Sequence, residues 1–349
     1  MTTMVQANPG ASALQRALGT AALLRAVEAA PAFALAEALR WTWRPAVDVV
    51  GGRSGQIGAV RATTEAYARL LPGTRGVTVR SVSIECADNA DGTDRRLPAE
   101  WAVPRDANPG AILYLHGGGF VFGSARTHRV LTGRLAADSR LPVLTPTYRL
   151  APEHPFPAAF DDALAAYRHL LALGIAPETI VLAGDSSGGH LAAGLVAGLG
   201  PRGLPLPAGV ILFSPWLDLG CTGARLADHR RRDPFVSPAA AERLARLYLG
   251  EGADPTDARL RPASSALGPL PPFLIQVGGR EALQQDAHRF AEDLARSGTE
   301  CRFETWPGQI HVFQLLNRWL PAARCAMQQA ADFAAARVQP SPAPAAQGN

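Results

Sequence analysis

The chain reads in two textures. Residues 12–43 are rich in Ala, Leu and Arg, with a break at Pro31, and read as helix-forming. Their apolar positions are too many for a solvated helix, so they should lie on another part of the molecule. A link bearing Gly51, Gly52, Gly55 and Gly58 follows, and residues 59–71 read as a further helix. From residue 77 the pattern changes. Residues 77–84 alternate as a half-exposed strand does, residues 88–94 are turn-like, and residues 97–103 read as the partner strand. Short apolar runs then recur at 111–115, 143–147, 180–183, 210–213, 273–277 and 302–305, separated by amphipathic or Ala-rich stretches. This pattern belongs to buried parallel strands joined by crossover helices, and it predicts an α/β fold. Residues 238–249 form a helical insertion between two of those strands, and the Pro-, Ala- and Ser-rich residues 339–349 read as a disordered tail.

Composition narrows the function classes. At 349 residues and 47% hydrophobic, the chain suits one α/β enzyme domain with an added segment. No apolar run reaches the ~18 residues of a membrane span. The net charge is +4, and all 34 basic residues are arginine. They are scattered; the densest group, Arg230–Arg232, sits between Asp228 and Asp233 as a solvated turn would, so no nucleic-acid partner is expected. Cys86, Cys221, Cys301 and Cys325 form no CxxC pair and suggest neither structural zinc nor a disulfide framework. The apolar run 17–24 is cut by Arg25 and lacks a basic start and a cleavage site, which makes a cytoplasmic location the expectation.

Candidate chemistry gathers at the strand ends. Gly184-Asp185-Ser186-Ser187-Gly188 lies between the strand at 180–183 and the Ala-rich helix at 191–199. A serine on such a turn is pushed into the open as a nucleophile, with Gly184 and Gly188 letting strand and helix approach and the helix N-terminus favouring negative charge. His116-Gly117-Gly118-Gly119-Phe120 follows the strand at 111–115. Bare N–H groups in such a loop can converge on the oxyanion of ester cleavage, and Gly117, Gly118 and Ser187 are the donors expected. His116 should shape the loop. The pattern is neither a P-loop nor GxGxxG, so no nucleotide cofactor is implied.

A serine nucleophile needs a base. Of the eight histidines, His311 stands in a Gly/Pro loop after the last strand; His169 and His288 sit on amphipathic helical patterns, and His190 should turn into helix packing. The base needs a carboxylate, and two compete after the strand at 273–277. Glu281 lies nearer the strand end, whereas Asp286 falls within the next helix, where a first-turn charge suits the dipole. The order Ser186, Glu281, His311 is that of α/β-hydrolases.

Together with Tyr148-Arg-Leu-Ala-Pro-Glu-His-Pro155, Ser214-Pro-Trp-Leu-Asp218 and Ile310-His-Val-Phe313, these motifs make residues 77–336 resemble the hormone-sensitive-lipase-like bacterial esterases of the α/β-hydrolase superfamily. The resemblance implies a mostly parallel eight-stranded sheet flanked by helices, with a helical cap. It implies a cap segment at 1–76, a catalytic domain at 77–338 with a cap insertion near 220–250, and a homodimer joined at the C-terminal sheet edge. The chain departs from the usual motif at Ser187, where Ala is common, and at Glu281, where Asp is common. The expected activity is hydrolysis of short- to medium-chain acyl esters through an acyl-enzyme on Ser186, with no metal or cofactor. The rivals are a lactone or amide hydrolase using the same residues, a long-chain lipase, and a ligand-binding receptor of the same fold. The retained His311 argues against the receptor.

Overall fold

The computed structural model describes residues 54–86, 95–225, 233–254, 257–262 and 270–338, together with Glu37 and Arg44. Helix α1 (Ser54–Leu70) precedes an antiparallel pair, β1 (Val77–Cys86) and β2 (Arg95–Pro104). Then come β3 (Ala111–Leu115), α2 (Arg129–Ser139), β4 (Val143–Pro146), α3 (Ala158–Ala172), β5 (Ile180–Asp185), α4 (Ser186–Leu199) and β6 (Gly209–Phe213). The chain continues through α5 (Pro238–Leu249), β7 (Phe273–Gly278), α6 (Gln284–Arg296), β8 (Cys301–Trp306) and α7 (Pro321–Arg337). The eight strands form one sheet in the order β1-β2-β4-β3-β5-β6-β7-β8. It is antiparallel at β1, β2 and β4 and parallel from there to β8.

The run of fully buried strands from β3 to β7 explains the continuous apolar stretches, because helices cover both faces. Successive side chains serve opposite cores. Leu113, Leu182, Leu212 and Ile275 pack with α3, α4 and α6, while Tyr114, Val181, Ile211 and Leu274 pack with α2 and α7. Helix α4 is buried nearly all round, as its uniformly apolar sequence requires. Helix α5 follows the capping rules closely. Ser237 Oγ accepts the Ala240 N–H at 3.1 Å, Pro238 opens the helix and Gly250 ends it.

One boundary differs from the sequence reading. Helix α1 starts at Ser54 and carries Gly55 and Gly58 through its first turns, where a link was expected. Each glycine costs roughly 1 kcal/mol in a helix. Burial of Ile57 and the Arg61 bonds to Val121 O, Ala151 O and Glu153 offset that cost. The expected helix at 12–43, the turn at 88–94, the Arg230–Arg232 turn and the tail at 339–349 lie outside the described residues, Glu37 apart. No helix among the described residues is long and apolar enough to cross a membrane.

The stretch Tyr148–Pro155 starts in the core, with Tyr148 and Ala151 buried, and ends exposed at Glu153–Pro155. The Arg149 guanidinium and backbone N–H both bind the fully buried Asp162 of α3, which also pairs with Arg95 at 2.7 Å.

Candidate active site

Strand β5 passes into α4 with no intervening loop. Asp185 ends the strand in an extended conformation, and Ser186 begins the helix with φ 51. A left-handed serine is strained, and here the strain turns a side chain outward from a packed junction. The junction needs glycine, because a Cβ on Gly188 would stand 2.0 Å from Leu115 O and 2.4 Å from His116 O. The Ser186 carbonyl accepts the Trp216 N–H at 2.9 Å, which ties the turn to the loop after β6.

Around Ser186 the ends of β7 and β8 supply the next two groups. His311 Nε2 lies 3.0 Å from Ser186 Oγ, and His311 Nδ1 lies 2.7 Å from Glu281 Oε2. Glu281 Oε1 accepts the Gly278 N–H at 2.6 Å, so both carboxylate oxygens are held. Glu281 and His311 are buried, whereas Ser186 is half-buried at the mouth. Asp286 does not join them. It sits in the first turn of α6, with Asp218 and Arg289 as charged neighbours, and burial and Asp218 push its carboxyl up to about 6. The His311 loop is pinned by Val312, whose N–H donates to Ser214 Oγ at 3.0 Å; both residues have left-handed backbones.

Burial alone would lower the His311 pKa, but the bond to Glu281 and its charge, with Asp233 and Asp185 beyond, raise it. Asp233 is a carboxylate that the sequence reading treated only as the flank of an arginine turn. It is 1% exposed, and its Oδ2 accepts the Ala282 N–H at 2.8 Å, beside Glu281. Two N-terminal residues reach the same corner: Arg44 donates to Asp233 O, and Glu37 pairs with Arg280.

The glycine loop corrects one expectation. The Gly117 N–H donates to Asp185 Oδ1 at 2.9 Å, so it is spent on the protein and is not a donor to substrate. At the other end of the loop, the Phe120 N–H donates to Ser187 Oγ at 3.2 Å. The residues on either side of Ser186 thus clamp the two ends of the loop. Between the clamps, Gly118 and Gly119 have φ 121 and 64, and their N–H groups meet no acceptor among the described residues. Gly118 cannot be replaced without strain, since a Cβ would also stand 2.3 Å from Phe122 O. Ser187, second in α4, keeps an N–H of the helix N-terminus that has no intrahelical acceptor. The signal for Gly119 was present in the sequence as the third glycine. The bond that ties Gly117 to Asp185 is one that only the fold supplies.

His116 lies at the start of the loop. It is fully buried, stacks on Tyr148 with centroids 4.0 Å apart, and its carbonyl accepts the Tyr148 hydroxyl at 2.6 Å. His190 packs within the core, with Nδ1 3.0 Å from Trp216 O, and burial lowers its pKa to about 4.

A family profile described as the alpha/beta hydrolase fold matches residues 112–315. The chain belongs to that family. This hydrolase is 41% identical over 235 residues to an acetyl-hydrolase of Streptomyces hygroscopicus, covering 67% of this chain and 78% of the relative. It is 34% identical over 276 residues to an esterase of Acinetobacter venetianus, covering 79% and 88%. Among solved structures it superposes with TM-score 0.78 and 33% identity on an esterase from the bacterial hormone-sensitive lipase family, covering 89% of this chain and 99% of that one. The hydrolase is an enzyme of carboxylesterase type within this group.

Proposed function

We propose that the enzyme cleaves short- to medium-chain acyl esters through an acyl-enzyme on Ser186. The unbroken line from Glu281 Oε2 through His311 to Ser186 Oγ carries this reading, with links of 2.7 and 3.0 Å. His311 takes the Ser186 proton as Oγ attacks the ester carbonyl, and then returns it to the leaving alcohol. Glu281 fixes the tautomer and steadies the imidazolium. The oxyanion rests on the N–H groups of Gly118, Gly119 and Ser187, and water activated by His311 then frees the acid.

Helix α5 and the N-terminal segment act as a cap in this reading. The Leu244 side chain lies over Gly119, at 2.6 Å from where a Cβ would be, and Tyr248 stacks on Phe120 at 3.7 Å. The crowding beside the acyl site, with a relative named for acetyl hydrolysis, favours short acyl chains. A homodimer joined at the β8 edge belongs to the same proposal. Hydrolysis of p-nitrophenyl esters from acetate to palmitate, with Ser186→Ala alongside, tests it. Rates should fall with chain length and vanish in the variant; full activity of Ser186→Ala would remove Ser186 from its role.

A further inference from the structure

Directly beneath the glycine loop lies a second histidine–carboxylate couple that takes no part in the proton transfers above. Asp185, 2% exposed, precedes the nucleophile. Its Oδ1 accepts the Tyr114 hydroxyl at 2.7 Å and the Gly117 N–H at 2.9 Å, while its Oδ2 faces His128 Nε2 at 3.4 Å. His128 is 7% exposed.

Donor and acceptor arithmetic places one proton on His128. On its other side, Nδ1 lies 3.2 Å from Ser124 O and 2.9 Å from Thr127 Oγ1. A carbonyl can only accept. The Thr127 hydroxyl already gives its hydrogen to Ser124 O at 2.9 Å, so it too can only accept from the ring. Nδ1 therefore carries a proton. Nε2 faces Asp185 Oδ2 at 3.4 Å, and the lowered pKa of that carboxyl leaves the shared proton on the ring. A ring with two N–H groups is an imidazolium.

His116, with its ring centroid 5.4 Å from that of His128, has the opposite state. Its Nδ1 lies 2.9 Å from Gly117 O and donates, while its buried Nε2 has no partner to receive a second proton. Burial and the His128 charge lower its pKa to about 3. The remaining groups against His128 are Tyr114 from β3 and the turn residues Ser124 and Thr127. The nearby charges Arg126 and Arg129 are already paired, with Glu65 and Glu100. Asp185 and His128 are thus each other's counter-ion.

We propose that the His128–Asp185 ion pair is the positioning device of the glycine loop. An ionised Asp185 grips the Gly117 N–H and so aims Gly118 and Gly119. Its negative charge lies one residue from the nucleophile, where it would oppose an oxyanion, and His128 cancels that charge. His128 acts through the loop and touches no substrate. Burial would lower the His128 pKa, but Asp185 raises it overall. Burial would likewise raise Asp185, and His128 with the Tyr114 and Gly117 bonds holds it low. The pair persists between those limits and is lost, with a decline in kcat, as pH rises through the raised His128 pKa.

The kinetic part rests on the esterase reading; the ion pair itself does not. Nuclear magnetic resonance titration of isotope-labelled histidines in the full chain reads it directly, with His128 assigned from its ring contacts to Tyr114 and His116. Both His128 nitrogens should be protonated at pH 7, and titration should fall above the ordinary value of about 6.5. A neutral His128 at pH 7 overturns the proposal, whether or not any variant folds. In His128→Gln, kcat should fall ~10-fold or more with KM within about threefold, less than the ~10²–10³ of deleting a donor outright. That decline with rising pH should disappear from the variant. A kcat within twofold of wild type, with that decline intact, overturns the positioning role. A protonated His128 in a protein that turns over no ester supports the ion pair and counts against the esterase reading instead.

Discussion

Two buried histidines each face a carboxylate, and they differ in what lies on the far side of the ring. His311 turns its free nitrogen toward Ser186 Oγ, at the half-buried mouth. His128 turns its second nitrogen toward Ser124 O and Thr127, inside the protein. The first ring can shed its proton and regain it; the second has acceptors on both sides and keeps both protons. A buried histidine–carboxylate couple yields a base or a fixed charge according to what the third partner can accept or give.

The largest test of this contrast is Ser186→Ala, which should lower kcat by ~10⁶ on p-nitrophenyl acetate. Glu281→Gln should lower kcat by ~10⁴, because the wrong tautomer is then favoured. The same variant also tests the pH profile. Neutral His311 is the active form and Glu281 raises its pKa, so the acid limb of kcat/KM should lie above 6.5 in the wild type and move down in Glu281→Gln. An unmoved limb would mean that Glu281 does not govern the base. Gly118→Ala should cost ~10²–10³ in kcat by disturbing the loop that both couples serve.

The competing acid offers a sharper control. Asp286→Asn should leave kcat within twofold. A carboxyl whose pKa rises from 3.8 to about 6 on folding loses stability as pH climbs through that window, so the variant should gain a few degrees in Tm at pH 7 and nothing below pH 3.8. The smallest expected loss of activity comes from Ser187→Ala, which removes the acceptor of the Phe120 N–H and should lower kcat roughly three- to tenfold. Initial-rate kinetics on one ester and thermal melts suffice for all of these.

Much of this was legible in the chain. Period and punctuation located the strands, because those buried on both faces carry uninterrupted apolar runs, and each expected strand is present within one to two residues at either end. Ser186, Glu281 and His311 could be nominated because each follows a strand end. The partner of Gly117 was not legible, since Asp185 is 68 positions away and its aim depends on the β3–β5 register. His128 was passed over for a related reason. Within a sequence its neighbours are Thr127 and Arg129, and nothing there reveals that Tyr114, His116 and Asp185 converge on it. Asp233 reaches Ala282 across 49 positions from an insertion, where no periodicity gives direction.

All the proposed chemistry sits where the parallel strands β3, β5, β7 and β8 end, and the opposite rim, where the strands begin, holds none of it. That rim includes Leu206, an exposed residue shortly before β6, 38% accessible. The chain contains no lysine. A single Leu206→Lys substitution would therefore plant the first side-chain amine on the back of the molecule. Coupling through it would anchor the protein to a resin or electrode in one orientation, with the Ser186 mouth facing the bulk liquid.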